Sequence, residues 1–478
     1  MTPFRGHPGI TVVSLAAIVI CACSDQGPSE PPGAARVVVS TSGLDLDVDG
    51  YTVTIDTRSP RTISINATLQ FDSLPPGSHS VRLGGLASNC AVTGANPVSV
   101  DVIAGTAAEV SFAVACTVRF VAVSAGANHT CAITSRGSAY CWGDNSYGEL
   151  GDGITDGIRS AVPVKVLGSL TFAAVSAGAG HTCGLTTDSA AYCWGAGGAL
   201  GDGSTTGPEQ CGFAHVRCSA VPVAVLGGLT FASTTSGGGG GFHTCGVAIG
   251  GQAYCWGFNG WGELGDGTNV ERASPVAVVG GHTFAELDAG AGHTCGVTTG
   301  GDAYCWGSNS FGELGNGGDT ALLHPTPIAV VGGLTFTSVS AGYTHTCGVA
   351  TGGQAYCWGN NYMGKLGNGD TTDEASPVAV FGGLTFTTVS AEADQTCGLT
   401  VEGVAYCWGW RYAVGRQATP LAVEGGLTFA ALSGGGNHTC GITRSGLLYC
   451  WGSNDAGELG DGTVGAWRTT PVKVFGQP

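Results

Sequence analysis

Over residues 36–116 apolar and polar positions alternate in short runs, RVVVS, YTVTID, RTISINATLQF, HSVRL, VSVDVI and AEVSFAV, separated by turns rich in Gly, Pro and Asn. A period of two broken by turn residues predicts half-buried antiparallel strands, hence a small β-sandwich over 36–117. From residue 119 onward the alternation itself repeats, about every 50 residues, seven times. Each unit carries four strand-like runs, V-S-A-G, H-T-C, A-Y-C-W and P-V-x-V. Strand-only units of that period predict propeller blades, and seven of them predict a seven-bladed β-propeller over 118–478 that hides strand edges by closing on itself. A solenoid is the architectural alternative and fits strand-only units of this size less well.

Every unit also holds two cysteines with nine residues between them, as in HTCAITSRGSAYCWG over 129–143. The pairs are Cys131/Cys141, Cys183/Cys193, Cys245/Cys255, Cys295/Cys305, Cys347/Cys357, Cys397/Cys407 and Cys440/Cys450. Just past the middle of each frame stands Gly137, Ser189, Gly251, Gly301, Gly353, Gly403 or Gly446. A three-residue hairpin loop built on a type I turn needs positive φ at its third place, which glycine adopts at no steric cost. A loop Ser135-Arg136-Gly137 then sets Ile133 opposite Ala139, Ala132 opposite Tyr140 and Cys131 opposite Cys141, within disulfide reach on antiparallel strands. A metal needs four converging ligands, and a blade offers the pair and one histidine such as His129. Redox catalysis uses a low-pKa thiolate in a C-x-x-C-like frame, which nine intervening residues do not make. Seven structural disulfides are expected, with Tyr140, Trp142 and their equivalents on the opposite strand face, packed between blades.

Composition changes the picture in two ways. Twenty cysteines, most of them in regular pairs, point to an oxidising compartment. A formal net charge of −17 with no basic stripe excludes nucleic acid as a partner class. Export agrees with the N-terminus, where Arg5 precedes the apolar run 10–20 and Ile20-Cys21-Ala22-Cys23 leads into a polar stretch. This resembles a bacterial lipoprotein signal over 1–22, with Cys23 as the acylated residue, 23–35 as a linker, and the membrane reached through a lipid anchor only. An ordinary signal peptide is the other reading of the same residues. The apolar run is too short to span a bilayer as a stable helix.

The consensus V-S-A-G-x-x-H-T-C followed by Y-C-W-G-x-N-x-x-G-E-L-G-D-G and P-V resembles the regulator of chromosome condensation repeat family over about 360 residues. The resemblance implies the seven-bladed propeller. It also brings exchange of guanine nucleotide on a small GTPase with chromatin binding, known for a eukaryotic member, and β-lactamase inhibition, known for a bacterial one; fold carries over better than activity. The run FDSLPPGSHSVRL resembles prealbumin-like or carboxypeptidase-regulatory-like sandwiches, with an Ig-like sandwich as the alternative. Cys90 and Cys116, the cysteines of that segment, are expected to pair.

Other constellations read as structure. His129, His181, His243, His293, His345 and His438 recur once per blade, with Gln395 in the sixth, as hydrogen-bonded residues rather than ligands. Glu149 and Asp152 belong to a turn. Asp45, Asp47, Asp49 and Asp56 have calcium-loop spacing, but the stretch alternates like a strand and they are taken as a solvated face. No metal, cofactor or catalytic motif stands out. The repeat breaks twice. Residues 204–221 insert a loop expected to be closed by Cys211–Cys218 and carrying Phe213, His215 and Arg217, and the sixth unit replaces its turn with Trp408-Gly-Trp410-Arg411-Tyr412 and Arg416. Trp, Tyr and Arg favour interface hot spots, and loops on a rigid scaffold carry binding; tolerated loop drift produces the same irregularity.

The sequence therefore predicts a monomeric, exported, lipid-anchored, non-catalytic binding protein of the cell envelope, whose loops engage a protein or a surface glycan. A hydrolytic, glycan-active propeller with an axial site is the alternative. Guanine-nucleotide exchange is disfavoured by the export signal.

Overall fold

The computed structural model describes residues 30–47, 49–204, 208–212, 216–238, 241–318, 321–411 and 414–477. Among these the chain is all β apart from one turn of 3-10 helix at Gly197–Ala199. It divides into two compact units: one runs through Thr41 and Asp47–Val114, and the other holds Ser42–Leu46 and Ala115 onward.

The first unit is built on β1 (Gly33–Gly43), β2 (Tyr51–Ile55), β3 (Arg61–Ile63), β4 (Thr68–Leu74), β5 (Gly77–Gly84), β6 (Cys90–Val92), β7 (Val98–Val102) and β8 (Ala107–Cys116). They form two four-stranded sheets, ordered β4-β1-β8-β6 and β3-β2-β5-β7. Alternation decides which side chains are buried: Tyr51, Val53 and Ile55 point inward from β2, and His79, Val81 and Leu83 from β5. The first strand begins inside the segment expected to be linker. Ala35 is fully buried opposite Phe71, and a Cβ on Gly33 would lie 2.5 Å from Val102. Cys90 and Cys116 are both half-cystines.

Of the four aspartates expected on a solvated face, Asp49 and Asp56 are exposed and the other two are not. Asp45 and Asp47 are buried, and Asp47 accepts from the Ala87 N–H at 2.6 Å. Asp56 accepts from Ser80 N at 2.8 Å and bonds the His79 ring at 2.6 Å. The chain leaves β1 at Gly43 and re-enters a strand at Tyr51, so Asp47 serves a nearby backbone donor instead of lining a strand face.

The second unit is a ring of seven antiparallel sheets. Blade 1 consists of β9 (Phe120–Ala125), β10 (His129–Thr134), β11 (Ala139–Gly143) and β12 (Ser160–Lys165), in the order β12-β11-β10-β9. Blades 2 to 7 cover 172–224, 231–277, 284–329, 336–379, 386–422 and 429–473. Each blade is one contiguous repeat, so the ring closes without a strand borrowed from elsewhere. The central hairpin has Cys131 opposite Cys141 and Ala132 opposite Tyr140, with φ of 78° at Gly137. Ser189, where glycine is missing, holds the same conformation at 68°.

The same register recurs in every blade, and each directly opposed cysteine pair is a disulfide. The bridges are Cys131–Cys141, Cys183–Cys193, Cys245–Cys255, Cys295–Cys305, Cys347–Cys357, Cys397–Cys407 and Cys440–Cys450, with Cα atoms 4.0–4.1 Å apart. That separation is slightly closer than the usual span of a disulfide, because the two strands are already paired at this rung. All fourteen of these half-cystines are fully buried. The core lies between blades, where the cystine of one blade packs against the tryptophan of the next. Cys131 and Cys141 meet Trp194, Cys183 and Cys193 meet Trp256, Cys295 and Cys305 meet Trp358, Cys347 and Cys357 meet Trp408, and Cys397 and Cys407 meet Trp451. Cys440 and Cys450 meet Trp142 across the closure of the ring.

The 204–221 insertion adds a fifth strand to blade 2. Glu209–Cys211 pairs with Val216–Ala224, Cys211 and Cys218 are disulfide-bonded and fully buried, and Gly212 N donates to Thr155 O of blade 1 at 2.9 Å.

Candidate binding site

Neighbouring blades are tied by two belts of hydrogen bonds. In the inner one the fifth residue of each first strand accepts from a backbone N–H of the next blade: Ser124 from Ala177, Ser176 from Ser236, Thr235 from Ala289, Asp288 from Ala341, Ser340 from Ala391, Ser390 from Gly434 and Ser433 from Ala125, at 2.8–3.2 Å. The last of these closes the ring. These residues surround an axial cavity of about 130 Å³ that also receives Glu392. The polar axis keeps the axial-enzyme reading in play: its described walls carry no imidazole, amine or thiol, and the groups there capable of acid–base work are the carboxyls of Asp288 and Glu392, both engaged in hydrogen bonds between blades. Burial raises the carboxyl of Asp288 and takes that of Glu392 up to about 8.

In the second belt the histidine of each blade reaches the threonine of the next. His129 Nε2 meets Thr182 Oγ1 at 2.8 Å, and Thr182 donates to Glu149 O at 2.9 Å. Because the hydroxyl hydrogen is committed to the carbonyl, the imidazole must be the donor, which fixes the Nε2–H tautomer. Desolvation then holds His129, His181, His243 and His438 down to about 3, and lowers His293 and His345. Each ring lies on a glycine: a Cβ on Gly126 would come within 2.9 Å of His129. Blade 6 changes both partners together. Gln395 replaces the imidazole, and the space admits Glu392 where the other blades have that glycine. Glu392 accepts from Gln395 Nε2 and from Thr439 Oγ1.

The G-E-L-G turn supplies the third tie. Glu149 O also accepts from Trp194 Nε1 at 2.8 Å, while Leu150 is fully buried between the blades. The Glu149 carboxylate accepts from Tyr147 N inside its own turn and is pushed by burial up to about 8. Asp152 caps Ile154 N at 3.0 Å. Ala199, Glu263, Glu313, Lys365 and Glu458 repeat the carbonyl contact with Trp256, Trp306, Trp358, Trp408 and Trp142. Lys365, the one basic substitute, directs its ammonium to Thr344 Oγ1, Ala393 O and Asp394.

Loops after the first strand and turns after the third share one end of the ring. Asp144 N donates to Asn128 O, and equivalent bonds join these loops in blades 2 to 7. On this turn face stand six of the eight exposed aromatic side chains among the described residues: Phe258, Trp261, Phe311, Tyr343, Tyr362 and Trp410. They form an arc on consecutive blades 3 to 6. Trp261, Phe311 and Tyr343 border a common hollow, and Tyr343 also reaches the axial mouth.

Of the residues singled out in the sequence, Trp410 lies in this arc, 43% exposed, and Arg416 sits opposite it with its guanidinium 5.7 Å from the Tyr362 ring. Arg411 and Arg217 are placed by strand pairing with Gly415 and Gln210. Tyr412, Phe213, His215 and Cys23 lie outside the described residues. The sequence reasoning missed Phe258, Trp261, Phe311, Tyr343 and Tyr362. Their signal was present at the variable positions beside the turn motif and in the loop before H-T-C, where large aromatics stand in place of small or polar residues. Among the described residues one group of possible metal ligands gathers, Glu209, Cys211 and Cys218, and its sulfurs are consumed in the disulfide.

A closed ring of seven blades, six of four strands and one of five, with its loops displayed around a polar axis defines a seven-bladed β-propeller. The RCC1-like domain matches residues 105–391 and the Regulator of chromosome condensation (RCC1) repeat matches 429–458, and the chain belongs to this family. It is 29% identical over 263 residues to the Ultraviolet-B receptor UVR8 of Arabidopsis thaliana, covering 54% of this chain and 57% of that protein. It is 28% identical over 265 residues to the human E3 ubiquitin-protein ligase HERC2, covering 53% of this chain and 5% of that protein. The chain thus spans about half the length of the first relative and a small part of the second. Human WBSCR16 has a similar structure, with a TM-score of 0.62 and 18% identity over 70% of this chain and 94% of that one. Yeast RCC1 (Prp20), crystallised bound to Kap60, aligns with a TM-score of 0.57 and 18% identity over 66% of this chain and 78% of that one. At these identities the structural likeness speaks for the fold.

Proposed function

We propose that this propeller is an exported, lipid-anchored, non-catalytic binding protein of the cell envelope that takes a protein partner on its turn face. The observation that carries the proposal is the arc Phe258, Trp261, Phe311, Tyr343, Tyr362 and Trp410, apolar rings held out on consecutive blades of a rigid ring. Large aromatics at a polar rim are the side chains that dominate interface energetics. The setting is supported by the buried disulfides, which suit an oxidising compartment, and by Cys23 in its signal-like context. No helix among the described residues is long and apolar enough to cross a membrane, and the anchor assigned here is the lipid on Cys23. Nucleotide exchange on a cytosolic GTPase is disfavoured by the same setting.

Affinity capture from the native envelope tests this reading. Trp261→Ser/Phe311→Ser/Tyr343→Ser is expected to lose the partner captured by the wild type, by about tenfold or more, since hot-spot truncations cost about 2 kcal/mol or more each. Phe381→Ser/Phe475→Ser, which removes the two exposed aromatics outside the arc, is expected to retain it. Equal capture by both variants would reject the turn face as the binding surface.

A further inference from the structure

Six of the seven blade junctions are closed by the same three contacts. Between blades 3 and 4, for example, Glu263 O accepts from Trp306 Nε1 at 2.9 Å, Leu264 is fully buried, and Gly267 N donates to Pro325 O at 2.9 Å. The junction between blades 6 and 7 has a different structure, because the sixth repeat lacks the turn. Its third strand continues through Trp410 and Arg411 into an extended hairpin, with Trp410 opposite Arg416.

The receiving half of the contact is nevertheless intact. Trp451 stands where the other indoles stand, but its Nε1 has no acceptor among the described residues, and Thr439 turns to Glu392 instead of a turn carbonyl. Thr469 occupies the strand position at which Pro325 accepts from a turn glycine. The indole of Trp451 lies at 36° to Phe429, whereas the six capped indoles lie at 49–56° to their phenylalanines. The core at this junction contains no counterpart of Leu264. Trp410, Asn437, Trp451, Trp467, Arg468 and Thr469 line the groove that results.

We propose that this groove is a peptide-binding seat for a Gly-X-Leu-Gly turn donated by a partner protein. It deepens the binding reading above and rests on it. The occupant is defined by the six turns already seated in the ring: a carbonyl for Trp451 Nε1–H, a leucine side chain for the interblade core, and a glycine N–H for Thr469 O. A folded second copy cannot supply it, because Leu150, Leu200, Leu264, Leu314, Leu366 and Leu459 are all fully buried in their own ring. Arg468 lines the groove with its guanidinium already paired to Asp461 of its own turn at 3.2 Å, so recognition of the turn rests on its hydrogen bonds and its leucine and not on charge. Trp410, at the rim and 43% exposed, is placed to cover the bound turn.

The probe is a cyclised peptide with the chain's own 145–153 sequence, NSYGELGDG, titrated into the full protein by calorimetry. Saturable binding is expected, weakened about tenfold by Trp451→Phe, which keeps the ring and removes the donor, and by about tenfold or more when the peptide leucine becomes aspartate. Replacing residues 410–415 with the 144–153 turn fills the seat from within and should abolish binding. Absence of saturable binding to the wild type, or binding that survives the graft and Trp451→Phe, would overturn the seat. If the native partner is still captured through Trp261, Phe311 and Tyr343 while the peptide does not bind, the seat falls and the binding reading stands.

Discussion

Trp306→Ala is expected to destabilise the propeller by about 3–5 kcal/mol, because it empties a fully buried indole site at a blade junction. The indole touches the Phe284 ring on its own blade, 5.8 Å away between centroids, and lies against the cystine Cys245–Cys255 of the preceding one. Its loss removes core from both. The conservative change separates packing from hydrogen bonding. Trp306→Phe keeps most of the apolar volume and deletes the bond to Glu263 O, so about 1–2 kcal/mol is expected. Trp451→Phe deletes a donor that has no acceptor among the described residues and should cost less than Trp306→Phe. Urea titrations of the three variants followed by tyrosine and tryptophan fluorescence would check this order; equal costs for the two phenylalanine substitutions would show that the indole caps contribute little.

The resistance of the ring to denaturant is expected to peak near pH 6–6.5 and to fall on both sides. Six buried histidines are held neutral, four of them with pKa values of about 3, so as pH drops through 6.5 the unfolded chain gains protons that the folded chain refuses. Stability from these groups is present above 6.5 and lost below it, at about 1.4 kcal/mol per pH unit for each fully buried ring. The buried carboxyls act in the opposite direction. Glu149 and Glu392 are raised to about 8 and Glu263 and Glu286 to about 7, from an ordinary 4.5, so the folded state keeps protons that the unfolded state releases and stability falls as pH rises through that window. Between 4.5 and 6.5 the two sets oppose each other; below 4.5 these glutamates no longer offset the histidines, and Asp266 and Asp461, whose carboxyls burial raises less than their hydrogen bonds and arginine partners lower, add to the loss, so the steepest fall is expected there. Denaturant midpoints from pH 3.5 to 9 would check the shape, and a midpoint that rises steadily toward either end would contradict it.

What the chain revealed in advance follows the range of the interactions. The hairpin register could be counted because Gly137 and its equivalents must sit at the third place of a short loop, and everything from Cys131 to Cys141 is local. The histidines could be read as structural, but their partners could not, since Thr182 lies 53 positions from His129 on another blade. The exchange of Gly and His for Glu392 and Gln395 is visible in the sixth repeat only once it is known that the imidazole rests on that glycine. The lost turn of the same repeat was plain, whereas the tryptophan it leaves uncapped stands 41 residues after Trp410, in the next blade. The aromatic arc escaped notice because its residues occupy variable positions of the repeat, where each looks incidental until the ring brings blades 3 to 6 side by side.

The central claim is that partners meet this propeller on the turn face, and site-specific photo-crosslinking tests it most directly. A benzophenone side chain placed at Tyr343, 50% exposed beside the axial mouth, should crosslink the envelope partner, while the same group at Glu402, in a hairpin loop at the opposite end of its blade, should not. Crosslinks from Glu402 with none from Tyr343 would contradict the account.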